Sequence, residues 1–355
     1  MERSTEQTRA NILAHAAKYP RAEVQDYMKY LYQSAMGCEH LVADPSAAAA
    51  YIRHEAAQAA ARPRPWIERL DGDFCRVSLD VLRDGLKPET LAALFVLSAE
   101  HQERGVQALE EKLTVFMRMV HAGELPLDVG GTEARIQQWR EAGFPACHHS
   151  ETFRAAYAPA YRLLKASYAD RLALFAEIDR RLSEKECLTV VIDGGSASGK
   201  STLGALLAQV YECNVFHMDD FFLRPEQRTP ERYAEPGGNV DRERFLDEVL
   251  TPLRAGREVA YRRFDCGSMT VQDAIIIPPK RLNVIEGSYS LHPALRGPDQ
   301  LSVFLKISPE KQIERIEKRN GETMARMFRE RWIPLENKYL KAFRPDEKCD
   351  IIIEV

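Results

Sequence analysis

Residues 194–202 read Gly-Gly-Ser-Ala-Ser-Gly-Lys-Ser-Thr, and Gly194, Gly199, Lys200 and Ser201 stand at the GxxxxGK[ST] spacing. Each residue type there has a task in holding phosphate. Glycines accept positive φ and let successive backbone N–H groups converge on phosphate oxygens, and the N-terminus of a following helix adds partial positive charge. Gly195, Ser196, Ala197, Ser198 and Thr202 complete the cradle, Lys200 reaches the β and γ phosphates, and the Ser201 hydroxyl can ligate Mg²⁺. An apolar β-branched run, LTVVI, precedes the loop and an apolar helical stripe, TLGALLAQV, follows it, the strand and helix context such a loop requires. The spacing points to binding of a nucleoside triphosphate. It does not separate a kinase from an ATPase, a GTPase or a motor.

The residues that choose among these lie downstream. In NVFHMDDFFL, Asp219 and Asp220 stand where a strand emerges at the carboxyl edge of the sheet, the edge at which open α/β folds bind ligands. One carboxylate there can take a proton from an acceptor hydroxyl and the other can orient the acceptor or Mg²⁺; the alternative is a helix N-cap. In LNVIEG, Glu286 ends a buried strand, where an acid is costly unless it meets a cation or donors, which suits a place near Mg²⁺ or its waters.

The ordered blocks GGSASGKST, MDDFF, NVDRERFLDEVLTPLRAGREV, RRFD, VIEGSYSL and VFLKISPEKQIERIEKRN resemble the uridine kinase and phosphoribulokinase family of P-loop kinases over about residues 187–345. The MDDFF block is also similar to that of nicotinamide riboside kinases. The resemblance implies that Asp219 is the base facing the acceptor hydroxyl, that Lys200 and Ser201 serve ATP and Mg²⁺ with Glu286 near the metal, and that Arg315 and Arg319 lead into a lid over the phosphates. The acceptor side departs from the family. A Tyr-Asp pair followed by a pyrimidine-contacting His is replaced by Phe264-Asp265-Cys266-Gly267-Ser268-Met269, and the ribose-holding segment by PGGNVDRERF, with Asp241 its nearest match. Asp220, Asp241, Arg262, Arg263 and Asp265 are therefore the candidate acceptor residues. Arg224, Arg228 and Arg232 join the two arginines on that side, which fits either an anionic acceptor or loop arginines in solvent. The leading expectation is an ATP- and Mg²⁺-dependent kinase acting on a hydroxyl of a small molecule, a nucleoside first. The alternatives are a kinase for an anionic sugar or sugar phosphate, or a nucleotide-binding regulatory protein without transfer activity.

These residues need a scaffold. The 355-residue chain is about twice a usual domain, which predicts two domains, a mainly helical one at 1–184 and an α/β one at 185–355. In the second, apolar runs at Leu188–Ile192, Asn214–His217, Leu282–Ile285, Leu301–Ile307 and Ile351–Val355 alternate with helical stretches, the pattern of a parallel sheet flanked by helices. In the first, apolar residues recur at helical spacing in Ala22–Met36, Leu91–Ala99, Val106–Val120 and Arg154–Ile178, the last carrying Tyr157, Tyr161, Tyr168 and Phe175. Residues 73–82 read as a strand or a helix-start loop, and 123–132 and 142–151 read as connections. Cys38-Glu39-His40 and Cys147-His148-His149 lack zinc-ligand spacing, so buried thiols and surface imidazoles are the expectation over a metal site. An accessory role remains for this half: completing the acceptor pocket, self-association into a homo-oligomer, or regulation.

With 49 Lys+Arg against 53 Asp+Glu, the formal charge of −4 gives no global reason to expect a nucleic-acid partner. Seven cysteines, an odd and scattered set, read as reduced thiols. The N-terminal residues lack the apolar core of a signal peptide, and no run approaches the roughly 18 apolar residues of a membrane span. A cytoplasmic protein without a membrane partner is the expectation.

Overall fold

The computed structural model describes residues 2–38, 45–59, 65–99 and 105–355. The chain divides into two compact units, Met1–Asp179 and Arg180–Val355. Among the described residues no helix is long and apolar enough to cross a membrane.

The C-terminal unit is built on a five-stranded parallel sheet of order β10-β9-β4-β8-β5, with β4 at Leu188–Gly194, β5 at Cys213–His217, β8 at Leu282–Glu286, β9 at Gln300–Lys306 and β10 at Ile351–Glu354. All five strand candidates of the sequence are present. The central β4 is buried along almost its whole length, as an unbroken β-branched run requires when helices cover both faces. Its register sets Ile192 opposite Glu286 on β8, and Glu286 opposite His217 on β5, so the three strands end at one level. The helix Lys200–Val210 follows β4 and packs on β4, β5 and β8. A core of Val191, Phe216, Phe221, Phe245, Tyr261, Ile285 and Tyr339 lies behind the strand ends.

The sequence reading missed one element here, the antiparallel hairpin β6 (Val259–Asp265) and β7 (Thr270–Ile277). Only alternate residues of β6 are buried and β7 is largely open, so its apolar signal is weak.

The N-terminal unit is mainly helical, as its stripes predict: Val24–Met36, Pro88–Ser98 and Gly105–His121 match three of them within a few residues. It also holds a three-stranded antiparallel sheet, β1 (Ile67–Arg69), β2 (Phe74–Ser78) and β3 (Tyr161–Lys165), in the order β1-β2-β3. Residues 73–82 are both of their alternatives in turn, β2 followed by the 3₁₀ turn Leu79–Leu82. Two expectations fail. The stripe Arg154–Ile178 is not one helix: Ala158 in the left-handed region and Pro159 end the helix Glu151–Tyr157, and Tyr161–Lys165 is drawn into the sheet by β2. The connection 123–132 is cut short because the Asp128 carboxylate accepts from the N–H of Gly131 at 2.6 Å and caps a helix from Val129, hidden behind its two glycines.

Candidate active site

At the end of β4 the chain turns sharply at Gly194, with φ 152°. A Cβ there would stand 2.5 Å from the Leu305 carbonyl oxygen and 2.8 Å from Ser198 Oγ, so only glycine fits this approach of the loop to β9. Lys200 is buried and its Nζ donates to the carbonyls of Gly194 at 2.9 Å and Gly195 at 3.0 Å, curled over the loop it would serve. Ser198 Oγ is buried with no hydrogen-bond partner among the described residues. The helix starting at Lys200 directs its first N–H groups into the same turn.

Strand register gathers the next groups. Ser201 Oγ lies 3.1 Å from Glu286 Oε2, and Glu286 Oε1 lies 2.5 Å from His217 Nδ1. Glu286 is buried, and its hydrogen bond to His217 holds the imidazole pKa above the ordinary value. The 3₁₀ turn Met218–Phe221 then carries Asp219 and Asp220 past the end of β5. The Asp219 carboxylate makes no hydrogen bond or ion pair with the described residues. It is open to solvent yet crowded by protein, and that desolvation raises its pKa above the ordinary carboxylate range; Lys200 and His217 pull the other way, while Glu286 and Asp220 add to the rise. An unpaired carboxylate with a raised pKa, beside a lysine and a serine–glutamate pair, is suited to accept a proton.

The expected acceptor residues separate into two groups. Asp220 is held by Arg263 Nε at 3.2 Å and by the Tyr261 hydroxyl at 3.3 Å, next to Asp219. Asp241 is instead the N-cap of Arg242–Phe245, accepts from Gln227 Nε2 at 3.0 Å, and lines a separate cavity of about 680 Å³ together with Arg262. Arg262 pairs with Glu248 at 2.6 Å. Asp265 closes the β6–β7 turn, accepting from the N–H of Gly267 and from the Ser268 hydroxyl, and the neighbouring Cys266 thiol lies within the field of Asp219. Arg224 pairs with Glu226 and Arg232 with Glu243; Arg228, beside Cys266, has no carboxylate partner among the described residues. Arg315 donates to the Ala197 carbonyl at 3.3 Å and so reaches the loop, whereas Arg319, a turn further on, bonds its neighbour Asn320 and no loop residue among the described residues.

Two buried acids that the sequence reading passed over hold this arrangement together. Asp193 accepts from the N–H groups of Gly194 at 2.7 Å, Tyr289 at 3.1 Å and Leu291 at 2.9 Å, and from the Tyr339 hydroxyl at 2.7 Å; burial nevertheless pushes its pKa upward. Glu336 accepts from the N–H of Ser196 at 3.0 Å, from the Ser196 hydroxyl, from the Ser288 hydroxyl at 3.1 Å and from Gln312 Nε2 at 3.2 Å. Both Tyr339 and Glu336 lie on the helix Ile333–Phe343, three positions apart and so on one face. His217, two residues before Asp219, carried a local signal; Glu336 carried none. Of the two Cys/His clusters, Glu39 and His40 lie outside the described residues, Cys38 is buried, His149 is buried too, against the expected surface imidazole, because it bridges Asp26 and Tyr161, and no group of three potential ligands forms among the described residues.

A parallel sheet flanked by helices, with a glycine-rich loop after its central strand and acids at the neighbouring strand ends, is the fold of a P-loop kinase. Its second half is similar to curated uridine kinases: 26% identical over 191 residues to that of Shewanella pealeana, covering 48% of this chain and 90% of the relative, and 26% identical to that of Shewanella halifaxensis over the same share of this chain. The likeness is to the uridine kinase and phosphoribulokinase type, and the N-terminal half lies outside it. A solved structure described as a possible uridine kinase from Bacillus stearothermophilus aligns over 50% of this chain and 99% of its own, with 21% identity and a TM-score of 0.37. No protein-family profile matches the chain.

Proposed function

We propose that the C-terminal unit transfers the γ-phosphoryl group of ATP, with Mg²⁺, to a hydroxyl of a small molecule in the cytoplasm, and that the acceptor is a nucleoside of the uridine type. The observation that carries this reading is Asp219, an unpaired carboxylate of raised pKa at the mouth of the phosphate loop. The residues present fit a Mg²⁺-nucleotide: Ser198 Oγ is an orphaned polar atom in the loop, Lys200 has only loop carbonyls as partners, and Ser201 and Glu286 offer paired hard oxygen donors. Bound there, the nucleotide supplies the phosphoryl group and the metal neutralises charge on it.

The protein's share of the reaction is positioning and proton transfer. Residues 194–202 would hold the triphosphate, with Lys200 and Arg315, both now on loop carbonyls, supplying positive charge to the phosphates. Asp219 accepts the proton of the acceptor hydroxyl, and Asp220, fixed by Arg263 and Tyr261, orients that acceptor. Four of the five acceptor-side arginines already face carboxylates, which favours a neutral acceptor over an anionic one. Arg228 is the exception, and it keeps a sugar phosphate as the second reading.

The test is acceptor-stimulated release of ADP by the full chain across nucleosides, neutral sugars and sugar phosphates. Stimulation by uridine or cytidine, lost in Asp219→Asn, supports the proposal. Stimulation by sugar phosphates alone, lost in Arg228→Met, supports the second reading. ATP binding with no stimulated release by any acceptor defeats both.

A further inference from the structure

The N-terminal unit contains a buried cation with unused hydrogen-bonding capacity. Arg76 lies in the middle of β2 and is 2% exposed. Its Nε donates to Gln33 Oε1 at 2.9 Å, its Nη1 faces Glu68 Oε1 at 3.4 Å, and its guanidinium carbon stands 4.9 Å from the centre of the Tyr161 ring. Nη2 has no hydrogen-bond partner among the described residues. Buried guanidinium donors are rarely left unmade unless something else meets them. The same side chain lines a cavity of about 310 Å³, walled by Tyr19, Phe153, Tyr157 and Tyr161, with Lys18 beside them.

The charges in that cavity do not balance. Glu68 is shared by Lys18 at 2.9 Å, the Tyr19 hydroxyl at 2.6 Å and Arg76, so two cations face one carboxylate and the cavity is positive by one charge. Its walls are also pinned in place. The Tyr161 hydroxyl lies 2.8 Å from His149 Nε2, His149 Nδ1 lies 2.9 Å from Asp26 Oδ1, and the imidazole stacks on Phe153 with 4.1 Å between ring centres. Tyr157 takes the N–H of Arg21 on its hydroxyl at 2.9 Å. A small, preformed, aromatic-walled cavity with one converging cation has the make-up of a small-molecule site.

We infer that the N-terminal unit binds a small molecule carrying a single acidic group on a flat apolar body, the acid meeting the Arg76 guanidinium and the body lying among the four aromatic rings. The size and the single excess charge suit a monoanion of one ring and exclude a nucleoside triphosphate, so this site is separate in kind from the phosphate loop. Neither its walls nor its charge depends on the kinase reading.

The experiment is calorimetric titration of the full chain with benzoate and with phenyl phosphate, which distinguish a carboxylate from a phosphate ligand, and with benzamide as the neutral control. At least one of the anions should bind about tenfold or more tightly than benzamide. Ala156→Trp, which fills the cavity from its wall without touching Arg76, should abolish the binding with the circular dichroism and unfolding temperature retained. Arg76→Met should abolish it too, and Lys18→Met, at a half-exposed position that does not threaten folding, should weaken it severalfold. No heat from either anion up to millimolar concentration, equal binding of benzamide, or binding unchanged in Ala156→Trp would overturn the inference.

Discussion

At the scale of single residues, the proposed chemistry rests on one carboxylate kept free while its neighbours are tied. Asp220 has Arg263 and Tyr261, Glu286 has Ser201 and His217, and Asp193 has four donors. Asp219→Asn removes the proposed proton acceptor and leaves the loop intact. The expectation is a fall in kcat of about 10²–10⁴-fold with little change in KM for ATP, read by steady-state kinetics. In the proposed reaction the same residue would set the acid limb of the pH profile. Its pKa is raised, the ionised form is the active one, and activity is lost as pH falls through that raised value. The acid limb of kcat/KM should therefore lie above the ordinary carboxylate range, and a limb at or below that range would remove Asp219 from the role of base. Glu336→Ala leaves the N–H and hydroxyl of Ser196 without their acceptor, at a cost of about 1–3 kcal/mol. Urea unfolding should show that loss, accompanied by a higher KM for ATP because the tip of the phosphate loop is no longer held.

At the scale of elements, what the sequence reveals depends on how far apart in the chain the partners stand. The loop, the helix after it and the Asp pair are legible because strand, turn and helix are consecutive and each leaves its own pattern. Glu286 is legible because an acid closing a buried strand is anomalous by itself. Glu336 is not, since its partner Ser196 is 140 residues away and nothing around either residue announces the other. The strand Tyr161–Lys165 is hidden for a related reason: its apolar spacing imitates a helix, and only pairing with β2 decides otherwise. A joint within the arginine-bearing segment is similarly inconspicuous. The helix Pro309–Met327 is broken at Gly321, with φ 77° and ψ 171°, a conformation essentially confined to glycine, and nothing lies within 4 Å of the position a Cβ would take. Gly321→Ala therefore acts through the backbone alone, with a strain of about 1–3 kcal/mol. Because the joint follows Arg315 and Arg319, kcat and KM for ATP should change together and the unfolding temperature should fall by several degrees; unchanged kinetics would show that the joint has no part in turnover.

At the scale of the molecule, buried histidines make the fold sensitive to acid. In the N-terminal unit burial lowers the pKa of His15 to about 3 and of His149 to about 4, from 6.5 in an unfolded chain. Both are neutral when folded, so their contribution is complete above 6.5 and is lost as pH falls, the unfolded chain taking up protons that the folded one refuses. Urea midpoints of the full chain should drop between about pH 7 and about pH 5. His15→Phe, which keeps the ring stacked on Tyr30, should flatten that slope.

The helix Ile333–Phe343 touches the end of β4 through Tyr339 and the phosphate loop through Glu336. In a chimera, this loop segment moved into a relative would arrive without the two side chains that hold it here. Exchange of residues 188–202 alone should yield a folded but sluggish hybrid, and exchange together with 333–343 a competent one, so these two stretches form one heritable cassette written in two distant places.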